Sequence, residues 1–91
     1  KVFVFSTPNN PTGLVYSSTT INQIAALAAA HNVTLIVDEL YSRMLYIGEE
    51  YTHLCSCDVL PENLITIIGP SKTESLSGFR LGIAFGTSEQ L

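Results

Sequence analysis

Charged side chains are scarce in this sequence, since only 13% of its 91 residues are Asp, Glu, Lys or Arg. An ordinary soluble domain has roughly 25%. Lysine and arginine together number four against eight acidic residues, for a net charge of −4. That balance leaves no basic surface of the kind that binds nucleic-acid phosphates or anionic lipid. We therefore expect neither nucleic acid nor a membrane as a partner.

Long apolar runs and paired cysteine motifs are also missing. No run approaches the roughly 20 apolar residues that a spanning helix needs, and the first residues contain no charged-then-apolar leader. The two cysteines, Cys55 and Cys57, follow His53 closely, whereas structural zinc usually takes its ligands as two spaced pairs. We expect two reduced thiols, no metal site and a cytoplasmic location.

Low charge and a mean hydropathy of +0.32 indicate apolar faces that further chain has to cover. The sequence opens without methionine inside a strand-like run at residues 2–5, and it stops at Leu91 with no terminating element. We therefore expect residues 1–91 to be part of a larger domain, with the N- and C-terminal parts of the protein missing.

Hydrophobic patterning predicts alternating strands and helices. Helical spacing of apolar residues predicts a helix over about residues 19–31, with Ser17 or Ser18 as its N-cap and Asn32 at its end. A short helix is expected before the third strand. Continuous apolar or β-branched runs predict strands at residues 2–5, 34–37, 64–68 and 81–85. This order predicts an α/β fold with a mostly parallel sheet.

Polar motifs follow three of the predicted strands. They contain Asn10 in an Asn-Pro-Thr-Gly loop, Asp38 directly after an apolar run, and Lys72 in a Gly-Pro-Ser-Lys loop. Parallel sheets bind ligands in the crevice beyond the carboxyl ends of their strands. One sheet can therefore bring these distant residues together at one edge.

Lys72 and Arg80 stand eight residues apart in a loop rich in serine and glycine. A lysine amine can form a Schiff base with a carbonyl compound, although a solvated loop lysine is the ordinary alternative. The arginine fork suits a phosphate, and Gly78 and Gly82 beside it allow close approach of the backbone. A surface ion pair is the alternative for Arg80.

Asp38, Tyr41 and Asn10 supply groups that a pyridine ring can use. A carboxylate next to a ring nitrogen keeps that nitrogen protonated, although Asp38 could instead cap a helix beginning near Tyr41. Tyr41 and Asn10 are natural donors to a ring phenolate, with simple packing as the alternative for the tyrosine. With an amine and a guanidinium at the same edge, these residues predict a pocket for pyridoxal phosphate.

The motifs resemble those of fold-type I pyridoxal-phosphate enzymes, the aspartate aminotransferase superfamily, in its class I and II aminotransferase branch. Members carry Asn-Pro-x-Asn-Pro-Thr-Gly, Asp-x-x-Tyr, and Ser-x-Ser-Lys with an arginine eight residues after the lysine. The resemblance covers essentially the whole chain. Two positions depart from it, since Thr7 replaces the first asparagine and Gly69 replaces the first serine, whose hydroxyl usually reaches the phosphate.

By this resemblance the chain is a central piece of the large cofactor-binding domain of a three-layer α/β/α fold. Lys72 would be the catalytic residue that forms the Schiff base and moves the substrate proton. Ser71 and Arg80 would hold the phosphate; with Gly69 in place of the serine, either the phosphate affinity is weaker or Ser71 compensates. The cofactor-binding residues that the resemblance implies are Asn10, Asp38, Tyr41, Ser71, Lys72 and Arg80.

The resemblance implies an aminotransferase that acts on amino-acid and keto-acid substrates as a homodimer, and the segment alone is not expected to be active. The same lysine, aspartate and arginine also serve decarboxylases, β-eliminating lyases and cyclising enzymes, so these stay open. An alternative of another class is a sensor domain of a transcription regulator that binds the cofactor without turnover. A degenerate structural copy is a third alternative, which the intact set of cofactor residues disfavours.

Overall fold

A computed structural model describes residues 1–87 and Glu89. Strands β1 (Val2–Ser6), β2 (Thr34–Asp38), β3 (Leu64–Ile68) and β4 (Ile83–Phe85) form one sheet in that spatial order. The first three strands are parallel, and β4 runs antiparallel to β3. The predicted α/β fold with a mostly parallel sheet is therefore confirmed.

Two helices connect the strands. Helix α1 (Ser18–Ala30) joins β1 to β2, and the single-turn helix α2 (Pro70–Thr73) follows β3. Single 3₁₀ turns occur at Leu54–Ser56 and Ser77–Phe79. The short helix expected before β3 is the first of these turns.

Helix α1 begins and ends where its capping residues predict. The Ser17 hydroxyl accepts a hydrogen bond from the Thr20 N–H at 3.2 Å and so satisfies one of the free donors of the first turn. At the other end Asn32 adopts a left-handed φ of +50°, a conformation that asparagine tolerates. The predicted helix is confirmed to within one residue at each end.

The core lies between α1 and the middle of the sheet. Ile21 and Ala25 of the helix and Leu35 and Val37 of β2 are fully buried, because every fourth helical residue and every second strand residue faces the same side. Helix α1 thus supplies one helical layer against the sheet. No helix among residues 1–87 is long and apolar enough to cross a membrane.

Strands β1 and β4 keep large apolar side chains in contact with water. Val4 is 62% exposed and Phe85 is 54% exposed, which agrees with the scarcity of charge in the sequence. Strand β4 begins two residues later than predicted. Residues 81 and 82 lie instead against the start of α2, where the Leu81 carbonyl faces Gly69.

Candidate functional site

The polar motifs all emerge from one edge of the sheet. Ser6 and Asp38, the last residues of β1 and β2, are register partners. Ile68 ends β3 opposite Ile83, where the antiparallel β4 begins. The segments that carry Asn10, Tyr41 and Lys72 therefore leave the sheet side by side, as the edge rule for parallel sheets predicts.

The loop after β1 is shaped by Asn9, which the sequence reasoning did not single out. Its side-chain amide donates to the Ser6 hydroxyl at 2.9 Å, and its Oδ1 accepts from the Thr12 hydroxyl at 2.8 Å. Gly13 closes the loop with a φ of +73°, a conformation that favours glycine. This local network leaves Asn10 exposed at the loop surface.

Asn10, Tyr41 and Lys72 meet in space. The Asn10 Nδ2 donates to the Tyr41 hydroxyl at 3.5 Å. The Lys72 Nζ lies 5.9 Å from the centre of the Tyr41 ring, within the range of a cation–π contact. An amine from α2, a phenol from the turn after β2 and an amide from the loop after β1 thus form one cluster.

Asp38 lies half-buried at the end of β2, three residues before Tyr41. Its Oδ1 accepts a hydrogen bond from the Leu40 N–H at 3.0 Å, which is the local bond of an Asx turn. A tight turn follows, in which the Ser42 N–H donates to the Glu39 carbonyl, and no helix begins near Tyr41. The alternative of a helix cap for Asp38 is therefore wrong.

Arg80 lies at the same edge but apart from the cluster. It adopts a left-handed φ of +53°, and its guanidinium donates to the Ser77 carbonyl at 3.1 Å. Ser71 is half-buried in α2, directly before Lys72. The two residues expected at the phosphate thus flank the lysine in one segment between β3 and β4, and Arg80 bonds to its own turn.

Gly69 is closely surrounded. A Cβ at this position would lie 3.1 Å from the Leu40 Cδ2 and 3.1 Å from the Leu81 carbonyl oxygen. Its φ of −178° is extended backbone that any residue adopts, so space and not conformation explains the glycine. A serine hydroxyl at position 69 would need Leu40 and the backbone of Leu81 to move.

Replacement of Gly69 with alanine or serine is expected to destabilise the full-length protein by about 1 to 3 kcal/mol, the usual cost of overpacking. Urea unfolding of each variant measures this. Gly78→Ala is the matched control, because a Cβ at Gly78 meets nothing within 4 Å. Equal stability of the Gly69→Ala and Gly78→Ala proteins would show that Leu40 and the Leu81 backbone move aside at little cost in free energy.

His53 and the cysteines do not form a metal site in the part of the chain that the structure describes. No group of three or more His, Cys, Asp or Glu side chains among those residues is arranged to hold an ion. Cys55 is exposed and Cys57 is buried. His53 pairs through Nδ1 with the carboxylate of Glu39, a buried residue that the sequence reasoning missed.

The donor set suits a phosphorylated pyridine aldehyde. Lys72 offers a primary amine, and Tyr41 and Asn10 offer neutral hydrogen-bond donors beside it. A carboxylate on the neighbouring strand can pair with a protonated ring nitrogen, and a guanidinium at the same edge can bind phosphate. These residue types fit pyridoxal phosphate.

Comparison with known proteins gives a consistent result. The chain is 39% identical to the aspartate/prephenate aminotransferase of Thermus thermophilus, over 98% of this chain and 22% of the relative. It superimposes on an aspartate aminotransferase of Rhodobacter sphaeroides with a TM-score of 0.88 at 63% identity, covering 93% of this chain and 22% of that one.

A third similar protein is the N-succinyldiaminopimelate aminotransferase of Mycobacterium tuberculosis, with a TM-score of 0.92 at 32% identity over 99% of this chain and 23% of that one. The chain thus spans less than a quarter of the length of these relatives. All of residues 1–91 match the family model for aminotransferase class I and II. The chain therefore belongs to the class I and II aminotransferase family.

Proposed function

We propose that the complete protein is a pyridoxal-phosphate-dependent aminotransferase that moves an amino group from an amino acid to a keto acid. The observation that carries this proposal is the meeting of Lys72, Tyr41 and Asn10 at the sheet edge where Asp38 and Arg80 also lie. Membership of the aminotransferase family supports it. Residues 1–91 would then be part of the large cofactor-binding domain, and the remaining site residues would belong to other parts of the protein.

Pyridoxal phosphate, when bound, supplies an aldehyde that condenses with amines and a conjugated ring that withdraws electrons from the substrate Cα. Asp38 would hold a proton on the ring nitrogen, because a nearby carboxylate favours the charged form of its partner. Asn10 and Tyr41 would donate hydrogen bonds to the ring oxygen. Ser71 and Arg80 would bind the phosphate and fix the orientation of the ring.

Lys72 would attach the cofactor through its Nζ and then act as the base. As a free amine, the Lys72 Nζ would take the proton from the substrate Cα and, once charged, would be the acid that gives a proton back. General base catalysis of this kind contributes about 10² to 10⁴ in rate. The short helix α2 and the neighbouring Tyr41 ring would hold the amine in place for both transfers.

The similar proteins are named for different substrates, among them aspartate or prephenate in one case and N-succinyldiaminopimelate in another. Their common feature is the transferred amino group, so the proposal stops at amino-acid and keto-acid substrates. A homodimer, a cytoplasmic location and the absence of nucleic-acid or membrane partners stay predictions from the sequence.

The test is amino transfer by the purified full-length protein. We expect the protein with added pyridoxal phosphate to be yellow, and to convert a keto acid to its amino acid when offered a panel of amino donors labelled with ¹⁵N. Mass spectrometry detects the labelled product. Cofactor binding without any labelled product would favour the sensor alternative, and release of carbon dioxide from the donor would favour a decarboxylase.

A further inference from the structure

A polar cluster around one buried carboxylate lies next to the end of β2. It consists of Glu39, Tyr51 and His53, and is called the Glu39 cluster below. The Glu39 side chain is fully buried, and a buried carboxylate is costly unless hydrogen bonds satisfy it. Its Oε1 accepts from the Leu54 N–H at 3.0 Å, and its Oε2 pairs with the His53 Nδ1. Glu39 therefore holds the segment around His53 against the end of β2.

Tyr51 connects this cluster to the loop after β1. Its hydroxyl donates to the Thr7 carbonyl at 2.8 Å. The His53 ring packs edge-on against the Tyr51 ring, with 4.8 Å between the ring centres. Burial, followed by the negative charges of Glu39 and Asp38, raises the pKa of Tyr51 above its usual value, so the phenol keeps its proton and stays a donor.

Thr7, whose carbonyl accepts this hydrogen bond, is also bonded to the end of β2. It is almost completely buried, and its N–H donates to the Asp38 carbonyl at 3.1 Å. The Tyr51 hydroxyl and the Asp38 carbonyl thus bind the two backbone groups of one residue. Thr7 opens the loop that presents Asn10, so this pair of bonds sets the position of that loop relative to the end of β2.

We propose that Tyr51 is a positioning residue of the cofactor site, whose ring packs on the His53 that Glu39 holds and whose hydroxyl, through Thr7, fastens the loop of Asn10 to the strand end of Asp38. The inference rests on the proposed function, since Asn10 would contact the ring oxygen and Asp38 the ring nitrogen of one pyridine ring. Tyr51 acts only through Thr7. Residues that support binding groups in this way keep them within the narrow geometry that binding needs.

The experiment compares Tyr51→Phe with wild type in the full-length protein. Phenylalanine keeps the ring contact with His53 and removes only the hydroxyl, which leaves the buried Thr7 carbonyl without its donor. We expect the Kd for pyridoxal phosphate to rise about tenfold, the equivalent of one lost hydrogen bond. We also expect the visible circular dichroism of the bound cofactor to change, because that band reports the geometry of the groups around the ring.

Two further substitutions separate positioning from general stability. Tyr16→Phe removes a hydroxyl from another partly buried tyrosine, and it keeps both the ring that packs on Phe5 and the backbone N–H that donates to the Thr7 hydroxyl at 3.5 Å. It is expected to change neither readout. Glu39→Gln keeps oxygen and nitrogen atoms for Leu54 and His53, so it should retain most of the affinity. Glu39→Ala removes both contacts and should behave like Tyr51→Phe.

His53→Ala provides an independent variant that removes the ring packed on Tyr51 and keeps the Tyr51 hydroxyl, and it also removes the partner of the buried Glu39 Oε2. It should shift both readouts in the same direction as Tyr51→Phe, by a smaller factor. A wild-type protein that binds the cofactor, with Tyr51→Phe and His53→Ala indistinguishable from it, would overturn this inference alone. A wild-type protein that binds no pyridoxal phosphate would overturn the proposed function and this inference with it.

Discussion

Lys72→Ala is expected to abolish the covalent attachment of pyridoxal phosphate to the full-length protein and to leave the protein folded. The Lys72 side chain is exposed and its amine lies over the Tyr41 ring, so its removal takes nothing from the apolar core. Alanine cannot condense with an aldehyde or accept a proton. Amino transfer should fall by at least about 10² to 10⁴, the contribution of a positioned base.

The measurement is borohydride reduction of the holoprotein, which fixes the linkage, followed by mass spectrometry of the peptide that contains residue 72. Lys1→Ala is the matched control, because Lys1 is the other lysine of the chain and precedes β1 at the opposite edge of the sheet. It should retain the adduct. An adduct of undiminished yield in the Lys72→Ala protein would assign the role to a different lysine.

Arg80→Ala is expected to raise the Kd for pyridoxal phosphate by at least about 30-fold, from the roughly 2 kcal/mol or more that a truncated charge pair loses on binding. The guanidinium presents several donors in a rigid fork that matches phosphate oxygens. Its bond to the Ser77 carbonyl keeps the side chain at the sheet edge, in the segment that also carries Lys72. The Kd of the Arg80→Lys protein should lie between those of wild type and Arg80→Ala, because lysine keeps the positive charge and lacks the guanidinium fork.

Pyridoxal without its phosphate is the control ligand for Arg80. A guanidinium that acts on the phosphate should matter little for pyridoxal, so the Kd for this ligand should be similar in wild-type and Arg80→Ala proteins. Equilibrium titration followed by visible absorbance gives both constants. A loss of equal size for the two ligands would show that Arg80 supports the loop and does not hold the phosphate.

The sequence was sufficient for helix α1, for strands β1 to β3 and for the shared edge of the site. The period of the apolar residues in α1 and the Ser17 cap are local signals, so the helix could be located to within one residue. The apolar runs at β1, β2 and β3 predicted buried strands. Because parallel sheets bind ligands beyond the carboxyl ends of their strands, Asn10, Asp38 and Lys72 were expected at one edge. The roles of these residues toward a cofactor stay predictions.

Long-range contacts between polar residues could not be predicted from the sequence. Glu39 reads as a surface carboxylate, because nothing local predicts that His53 and the Leu54 N–H will satisfy it inside the protein. In the sequence, His53 stands out only as a candidate metal ligand near Cys55 and Cys57. The reason for Gly69 was hidden as well, since its neighbours Leu40 and Leu81 are far away in the chain.

The antiparallel pairing of β4 with β3 has a consequence for how this protein tolerates changes in length. Residues 69–82 connect β3 to β4, two strands that are hydrogen-bonded to each other. One inserted or deleted residue in this connection would displace the Lys72 amine relative to the Arg80 guanidinium. Residues 43–50 are mostly exposed and lie in a longer connection, where extra chain costs little closure entropy. Inserted sequence should therefore be tolerated better in the second stretch than in the first.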